Sequence, residues 1–493
     1  MMHTITVLPH NFIFSVPHGA NLLEVLTQNG FFIPAACGGR GSCGKCAIKC
    51  RATTEKDYKT VLSCRASVTS DLVVLWDADA ESGLWKISPL PALGERKVGM
   101  LLDIGTTTLA ACLVDKKSGE TLAKASALNP QGAFGADVIS RISAFGAGNG
   151  EKMRTAVVEA TNRLIATFSS TCAQIDEVVV VGNPTMLHLF IGVDPSGIGT
   201  YPFTPAFVTS KSFNGAEIGI NAPFVRLLPS ISAYLGSDVS AGILACEMHK
   251  TNETELFIDL GTNGEIVLAH GGKRFAASTA AGPALEGANI FCGMGGIAGA
   301  IDRVWREGGH LHYTTVETSP PRGICGSGLI DLIALLLDEG ILDETGTFVT
   351  ASNSPLAHYL EEDCFYLTPD IYLSQEDVRQ FQLAKAAIAG GIEALLWHCG
   401  VKMREISRVF LAGGLGYYMS PAKAARAGLL PKQLLSHTKI VGNTALAGAR
   451  LSLLQEETQV ALDTICKDTE TVELSLSPVF SQAYIENIGF EQT

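Results

Sequence analysis

The stretch Leu256-Phe-Ile-Asp-Leu-Gly-Thr-Asn-Gly-Glu-Ile266 is an apolar run that stops at Asp259, turns through glycine and hydroxyl residues, and resumes as an apolar run to Leu268. That pattern predicts a β-hairpin with a polar tip. The tip chemistry suits a nucleoside triphosphate. Gly261 and Gly264 lack a Cβ, so the backbone is expected to take positive φ and turn N–H groups toward phosphate oxygens, with the Thr262 hydroxyl and Asn263 amide as further donors. Asp259 is placed to hold, through water, the Mg2+ that neutralises those oxygens. Asp-Xaa-Gly is also ordinary turn chemistry, so one hairpin does not establish a phosphate site.

The stretch has an echo. Gly99-Met-Leu-Leu-Asp-Ile-Gly-Thr-Thr-Thr108 runs into Leu109-Ala-Ala-Cys-Leu-Val114, repeating the strand, the Asp-Xaa-Gly-Thr turn and the second strand. A duplicated hairpin of this kind suggests two related halves closing on one nucleotide. A third strand and glycine turn, Arg408-Val-Phe-Leu-Ala-Gly-Gly-Leu-Gly416, offers flat backbone at Gly413, Gly414 and Gly416 for an adenine. With all three segments in order, the chain resembles the acetate and sugar kinase, Hsp70 and actin superfamily, whose members bind ATP between two duplicated domains.

At 493 residues, 47% hydrophobic and 17% charged, the chain is long enough for several domains with substantial cores. A formal charge of -13 argues against a nucleic-acid partner, which would want a basic face. No uninterrupted apolar run of about 18 residues occurs, and no basic segment, apolar core and cleavage site open the chain, so a cytoplasmic protein with no membrane span is expected.

Thirteen cysteines are many for a reducing compartment, where clustered cysteines more often bind metal than pair. Cys112, Cys172, Cys246, Cys292, Cys325, Cys364, Cys399 and Cys466 are scattered and read as small core residues. The rest lie between Cys37 and Cys64. Cys37, Cys43 and Cys46 share one glycine-rich loop and Cys64 returns in Val-Leu-Ser-Cys-Arg, giving gaps of five, two and seventeen residues. Four thiolates are the usual ligand set of a 2Fe-2S cluster, and the glycines let N–H groups point at its sulfurs. A zinc site normally pairs two Cys-x2-Cys knuckles, and this stretch has one. The segment resembles a ferredoxin domain, with a first gap like that of the adrenodoxin-like group. Cys50 falls outside the pattern as a bystander, with a swap for Cys46 as the alternative.

In chain order, Ile5 to Val7 and Phe12 to Val16 read as strands, and Asn21 caps a helix that ends at Gly30, as a β-grasp domain begins. Val68 to Trp76 closes that domain, 1–80. Residues 81–96, with Pro89, Pro91 and Gly94, read as a linker. The first half of the nucleotide-binding body, 97–250, holds the Asp103 hairpin, a helix after Glu151, a buried strand at Val178 to Val181 and a helix opened by Asp238. The second half, 251–493, holds the Asp259 hairpin, Ala280 to Gly299, a long helix around Asp377 to Cys399 and a last helix from Gly442-Asn443-Thr444 to Leu454. Gly326-Ser327-Gly328 fits an anion nest or a plain N-cap with tight packing. His188, in an apolar run, reads as a core histidine, and the tail from Val472 alternates weakly enough to add a strand.

The expected fold is therefore multidomain α/β and α+β, a β-grasp 2Fe-2S ferredoxin domain followed by a duplicated actin-like, ribonuclease H-like ATPase fold. Joining an iron–sulfur domain to an ATP-hydrolysing clamp implies that nucleotide turnover drives an uphill electron. Each 100 mV costs about 2.3 kcal/mol per electron, and plant-type clusters sit near roughly -400 mV. ATP-driven closure can supply that energy by binding one state of an acceptor more tightly than the other.

The whole arrangement resembles the reductive activators of corrinoid proteins. The resemblance rests on the cysteine loop, the Asp-Ile-Gly-Thr and Asp-Leu-Gly-Thr-Asn-Gly turns, Ala-Ser-Thr-Ala-Ala-Gly-Pro-Ala-Leu-Glu-Gly at 277–287, Gly-Ile-Cys-Gly-Ser-Gly at 323–328 and Leu-Ala-Gly-Gly-Leu-Gly at 411–416. It implies one-electron reduction of Co(II) to Co(I) on the corrinoid protein of a methyltransferase system, fed by a low-potential electron donor. It also implies cluster ligands at Cys37, Cys43, Cys46 and Cys64. Phosphate and Mg2+ contacts would fall on Asp103, Gly105, Thr106, Thr107, Asp259, Gly261, Thr262, Asn263 and Gly264, and adenosine contacts on Gly413, Gly414 and Gly416. Glu265 is a candidate to orient the attacking water, with the face of the hairpin its side chain takes left open.

One departure stands out: family members carry a longer linker and a middle domain, where this chain is expected to have about twenty residues. Two other readings fit the same residues, a small-molecule kinase with a redox-sensing cluster and an ATP-dependent activator of another low-potential enzyme. A homodimer is compatible with the chain, which leaves the oligomeric state open.

Overall fold

The computed structural model describes residues 2–8, 11–29, 31, 33, 41, 46–76, 86–88, 96–169, 175–414 and 419–490. Cys37, Cys43, Cys172 and Gly416 lie outside the described residues.

The N-terminal sheet runs in the spatial order Phe12–Pro17, Met2–Leu8, Leu72–Leu75, Ala47–Ala52, Lys59–Leu62. The strand at 2–8 pairs in parallel with that at 72–75, and the other neighbours are antiparallel. Alternation along the first strand buries Ile5 and Val7, which is what a strand with one covered face requires. The cover is the helix Leu22–Gln28, whose Leu22 and Leu26 enter the same core as Val74 and Trp76. Asn21 caps it by accepting from Glu24 N, satisfying an otherwise orphaned N–H. This is a β-grasp domain.

Two large sheets frame the rest. In the first, strands Thr121–Leu128, Thr108–Asp115 and Val98–Ile104 form an antiparallel meander, extended in parallel by Ile175–Gly182 and Phe224–Leu227. In the second, Lys273–Thr279, Gly264–His270 and Glu255–Leu260 form the meander, extended in parallel by Arg408–Ala412 and Thr438–Gly442. Order and direction match strand for strand, so the body is duplicated as in actin-like folds. Lys86–Ile87, inside the segment read as linker, adds a short antiparallel strand beside Ala125 and Ser126.

Helices Ser237–Ala245 and Thr444–Leu454 pack on each other between the two sheets. Their core takes Leu101 and Val181 from one sheet and Phe257, Val267 and Phe410 from the other. The backbones touch: a Cβ on Gly448 would stand 2.1 Å from Ala241 O.

The C-terminal region departs from the expected pattern. The helix at Thr444–Leu454 is followed by Thr458–Asp468 and, where the tail suggested a strand, by the helix Pro478–Glu486. Ser477 accepts from Phe480 N and Pro478 occupies the first turn, a strong helix start that outweighs weak alternation. This helix docks on Gln375–Cys399 where Gly390 leaves room for the Tyr484 backbone. Lys385, on the long helix, donates to the carbonyls of Asn487 and Gly489. His188 is fully buried, stacked on Phe207, with its ring nitrogens bonded to Pro184 O and Ala206 N, as a core histidine should be. Among the described residues no helix is long and apolar enough to cross a membrane.

Candidate functional site

The two Asp-Xaa-Gly-Thr turns face one cavity of about 1180 Å³ between the halves. Its lining includes Asp103, Gly105, Thr106, Thr107, Asp259, Gly261, Thr262, Asn263 and Glu265, together with Gly413 and Gly414. In each turn the glycine N–H bonds back within the turn, Gly105 N to Thr108 O and Gly261 N to Asn263 O. Gly105, Gly261 and Gly264 do not take positive φ, and the N–H groups of Gly105 and Gly261 are spent inside the turns. The expected cradle of glycine N–H groups is therefore corrected, leaving the threonine hydroxyls and the Asn263 amide as donors. Gly264 is required by packing instead, since a Cβ there would meet Thr279 Oγ1 at 2.7 Å and Ile388 at 2.9 Å.

Neighbouring elements hold the first turn. Asn129 donates to Gly105 O at 2.7 Å, Asn183 donates to Thr106 Oγ1 at 3.1 Å, and the buried Arg141 donates to Thr106 O. The third segment closes on the second turn. Gly413 has φ 108, and a Cβ there would lie 2.4 Å from Leu260 O and 2.8 Å from Asp259 Oδ1. Only glycine passes there without strain.

Asp259 pairs directly across the ladder with Glu265. Opposed residues of an antiparallel pair share a face, so Glu265 points into the cleft with Asp259. Further acids line the cavity, among them Asp238 at the start of its helix and Glu286 in the stretch 277–287. Neither was singled out for this role by sequence, although Asp238 opens a helix and Glu286 belongs to a glycine-bounded stretch. Asn443 was also missed as a cleft residue; it caps the helix Thr444–Leu454 and donates to Asp103 Oδ2 at 2.7 Å.

Crowding in the cleft raises the proton affinity of Asp103, Asp238, Asp259, Glu265 and Glu286. Burial pushes Asp103 up to about 7, with the charges of Asp238 and Glu286 adding to it and the Asn443 bond opposing. Burial and the charges of Asp238, Asp103 and Glu286 push Asp259 to about 8. Asp238 rises to about 6 and Glu265 well above the usual range, both mainly through burial. Glu286 rises less freely, because Thr107, Thr262 and the Arg141 charge favour its ionised form. Such a set fits a divalent cation, the usual way to keep carboxylates ionised out of water. Mg2+ is commonly held by one or two carboxylates, with water and phosphate oxygens completing its shell.

Gly326 and Ser327 also border the cavity. Gly328 lies against the Ile301 carbonyl, where a Cβ would stand 2.1 Å away, so tight packing accounts for that glycine.

In the N-terminal domain, Cys46 and Cys64 bring their sulfurs to 3.1 Å, near enough to ligate one cluster. Both are buried, and the Ser63 N–H and hydroxyl bond Cys46 O while Asn21 donates to Cys64 O. Gly41, at φ 77, is packed over Arg65. Cys50 sits in the strand Ala47–Ala52 opposite Val74, and burial raises its thiol, a core setting rather than a ligand's.

A β-grasp cysteine site ahead of a duplicated actin-like body with an acidic interlobe cleft defines an iron–sulfur protein joined to an ATPase fold. Family models match in the same order: the 2Fe-2S iron-sulfur cluster binding domain over residues 5–69, the RACo middle region over 98–251, and the C-terminal domain of RACo, the ASKHA domain, over 253–493. The corrinoid activation enzyme RamQ of Eubacterium limosum is 36% identical over 417 residues, covering 80% of this chain and 70% of the relative. The [Co(II) methylated amine-specific corrinoid protein] reductase of Methanosarcina barkeri is 24% identical, covering 80% and 77%. A solved structure titled reductive activator for corrinoid, iron-sulfur protein superposes with a TM-score of 0.74 at 29% identity, covering 99% of this chain and 98% of that one. The chain belongs to the RACo family of corrinoid activators.

The RACo middle region falls on the first half of the body. The expectation that a middle domain is missing is thus corrected: that region is the half that carries the Asp103 hairpin.

Proposed function

We propose that this protein couples ATP hydrolysis to one-electron reduction of a corrinoid protein, taking Co(II) to Co(I). The observation that carries the reading is the cleft itself, where carboxylates from both halves converge with threonine hydroxyls between them, a setting for MgATP held by both lobes. The names of RamQ and the Methanosarcina barkeri reductase support the same assignment.

In this reading Asp103 and Asp259 orient the hydrated Mg2+, with Asp238 and Glu265 completing the acidic wall. Thr106, Thr107, Thr262 and Asn263 contact phosphates, and Gly413 and Gly414 lie against the adenosine. Gly105, Gly261 and Gly264 shape the two turns, and Gly416 extends the adenosine turn. Cys37, Cys43, Cys46 and Cys64 hold the 2Fe-2S cluster. When bound, that cluster supplies single electrons, refilled by a low-potential donor. Nucleotide closure of the two halves favours the protein state that binds the corrinoid partner for transfer.

The test is anaerobic. The reduced full chain is mixed with a Co(II) corrinoid protein, and the Co(I) absorption band is followed with and without MgATP. ATP-dependent Co(I) that is lost in Cys46→Ser and Asp259→Ala is expected. An intact cluster and steady ATP hydrolysis with no Co(I) on any of several corrinoid proteins would reject the reading.

A further inference from the structure

Glu286 occupies a singular place in the cleft. One of its oxygens, Oε2, accepts from Thr107 Oγ1 at 2.6 Å and also from Thr262 Oγ1. Those hydroxyls come from the turns of the two halves, one from each, so a single carboxylate bridges them. Its own support is stiff. The short turn Pro283–Glu286 lies between Gly282 at φ 76 and Gly287 at φ 79, and a Cβ on Gly287 would stand 2.4 Å from Met294 O.

Glu265 differs in its setting. It lies on the wall of the hairpin beside Asp259, buried with the acids that surround the expected metal. Glu286 instead bonds the two groups that would turn to phosphate oxygens when MgATP arrives. If the nucleotide draws those hydroxyls away, the Glu286 carboxylate loses its two donors, and a water can replace them. Arg141, Asp103, Asp259 and Glu265 are the charged groups that face it.

We propose that Glu286 is the catalytic base of ATP hydrolysis, holding the attacking water after Thr107 and Thr262 pass from its carboxylate to the phosphates. The inference rests on the ATPase reading above. The water oxygen forms a bond to Pγ as the bond from Pγ to the β,γ-bridging oxygen breaks. Glu286 takes the water proton and returns it to solvent, and ADP leaves with the bridging oxygen and its electron pair. No electron transfer is involved in this step.

The experiment compares the full chain with Glu286→Gln and Glu286→Ala, measuring MgATP affinity by calorimetry alongside phosphate release. Both Glu286 variants are expected to keep MgATP affinity within about threefold while hydrolysis falls by about 100-fold or more, the usual worth of a general base. Formate is expected to restore part of the rate to Glu286→Ala alone, a recovery that a purely structural role would not give. Hydrolysis by Glu286→Gln at near the wild-type rate overturns the proposal, as does a loss of affinity that matches the loss of rate in both variants. A wild-type chain that binds no MgATP overturns the ATPase reading and the proposal with it, so the two failures are told apart by the wild-type control.

Discussion

Asn443 stands 2.7 Å from the Asp103 carboxylate while its own oxygen caps the helix Thr444–Leu454. A helix start in the second half thus holds the acid of the first, and the two lobes share a polar tie at the floor of the cleft. Asn443→Ala removes both bonds. The lost cap alone costs about 1 kcal/mol. Asn443→Asp keeps a capping oxygen but sets another carboxylate against Asp103. Its melting temperature without ligand is expected to drop further at pH 8 than at pH 5.5, and Mg2+ is expected to narrow the gap. Equal losses at both pH values would count against the tie.

The acid cluster sets a pH dependence. Unfolded carboxylates titrate near 4, whereas Asp238, Asp103 and Asp259 titrate at about 6, 7 and 8 in the fold. Over that window the folded protein binds more protons than the unfolded chain, so nucleotide-free stability falls as pH rises from about 4 and levels off above about 8. Bound Mg2+ replaces those protons, so its affinity, and the stabilisation by MgATP, grow with pH over the same range. Scanning calorimetry at pH 5.5 and pH 8.5, with and without MgATP, checks both slopes.

The cysteine site predicts a clean separation of modules. Cys46→Ser and Cys64→Ser are expected to lose the visible absorption and the two irons per chain, while MgATP affinity stays unchanged. Cys50→Ala is expected to keep the iron, because Cys50 lies with Val74 in the sheet core. Iron content and the visible spectrum decide the matter, and cluster loss in Cys50→Ala would move it into the ligand set.

The contact between the interlobe helices leaves no space at Gly448, where a Cβ would stand 2.1 Å from Ala241 O. Gly448→Val is expected to cost about 1–3 kcal/mol by overpacking. Gly414→Ala, which meets nothing within 4 Å, is expected to leave stability unchanged and to act on nucleotide affinity. Denaturant titration of the two variants separates these effects.

The duplicated hairpins around Asp103 and Asp259 and the cysteine spacing were legible along the chain, because strand–turn–strand patterns and ligand gaps are local. The helix start at Asn21 was legible for the same reason, a cap being a bond to the next turn. Three features were not. Glu265 sharing a face with Asp259 depends on ladder register, which the residues of one strand do not state. Glu286 joining Thr107 and Thr262 depends on closure of two sheets far apart in sequence. Gly261 and Gly264 were assigned to positive φ, whereas close packing is what requires glycine at 264. Sequence therefore settled the modules and their order, since periodicity and spacing act over a few residues. Tertiary structure chose which acids meet, because that follows from how two separate sheets pack around the paired helices Ser237–Ala245 and Thr444–Leu454.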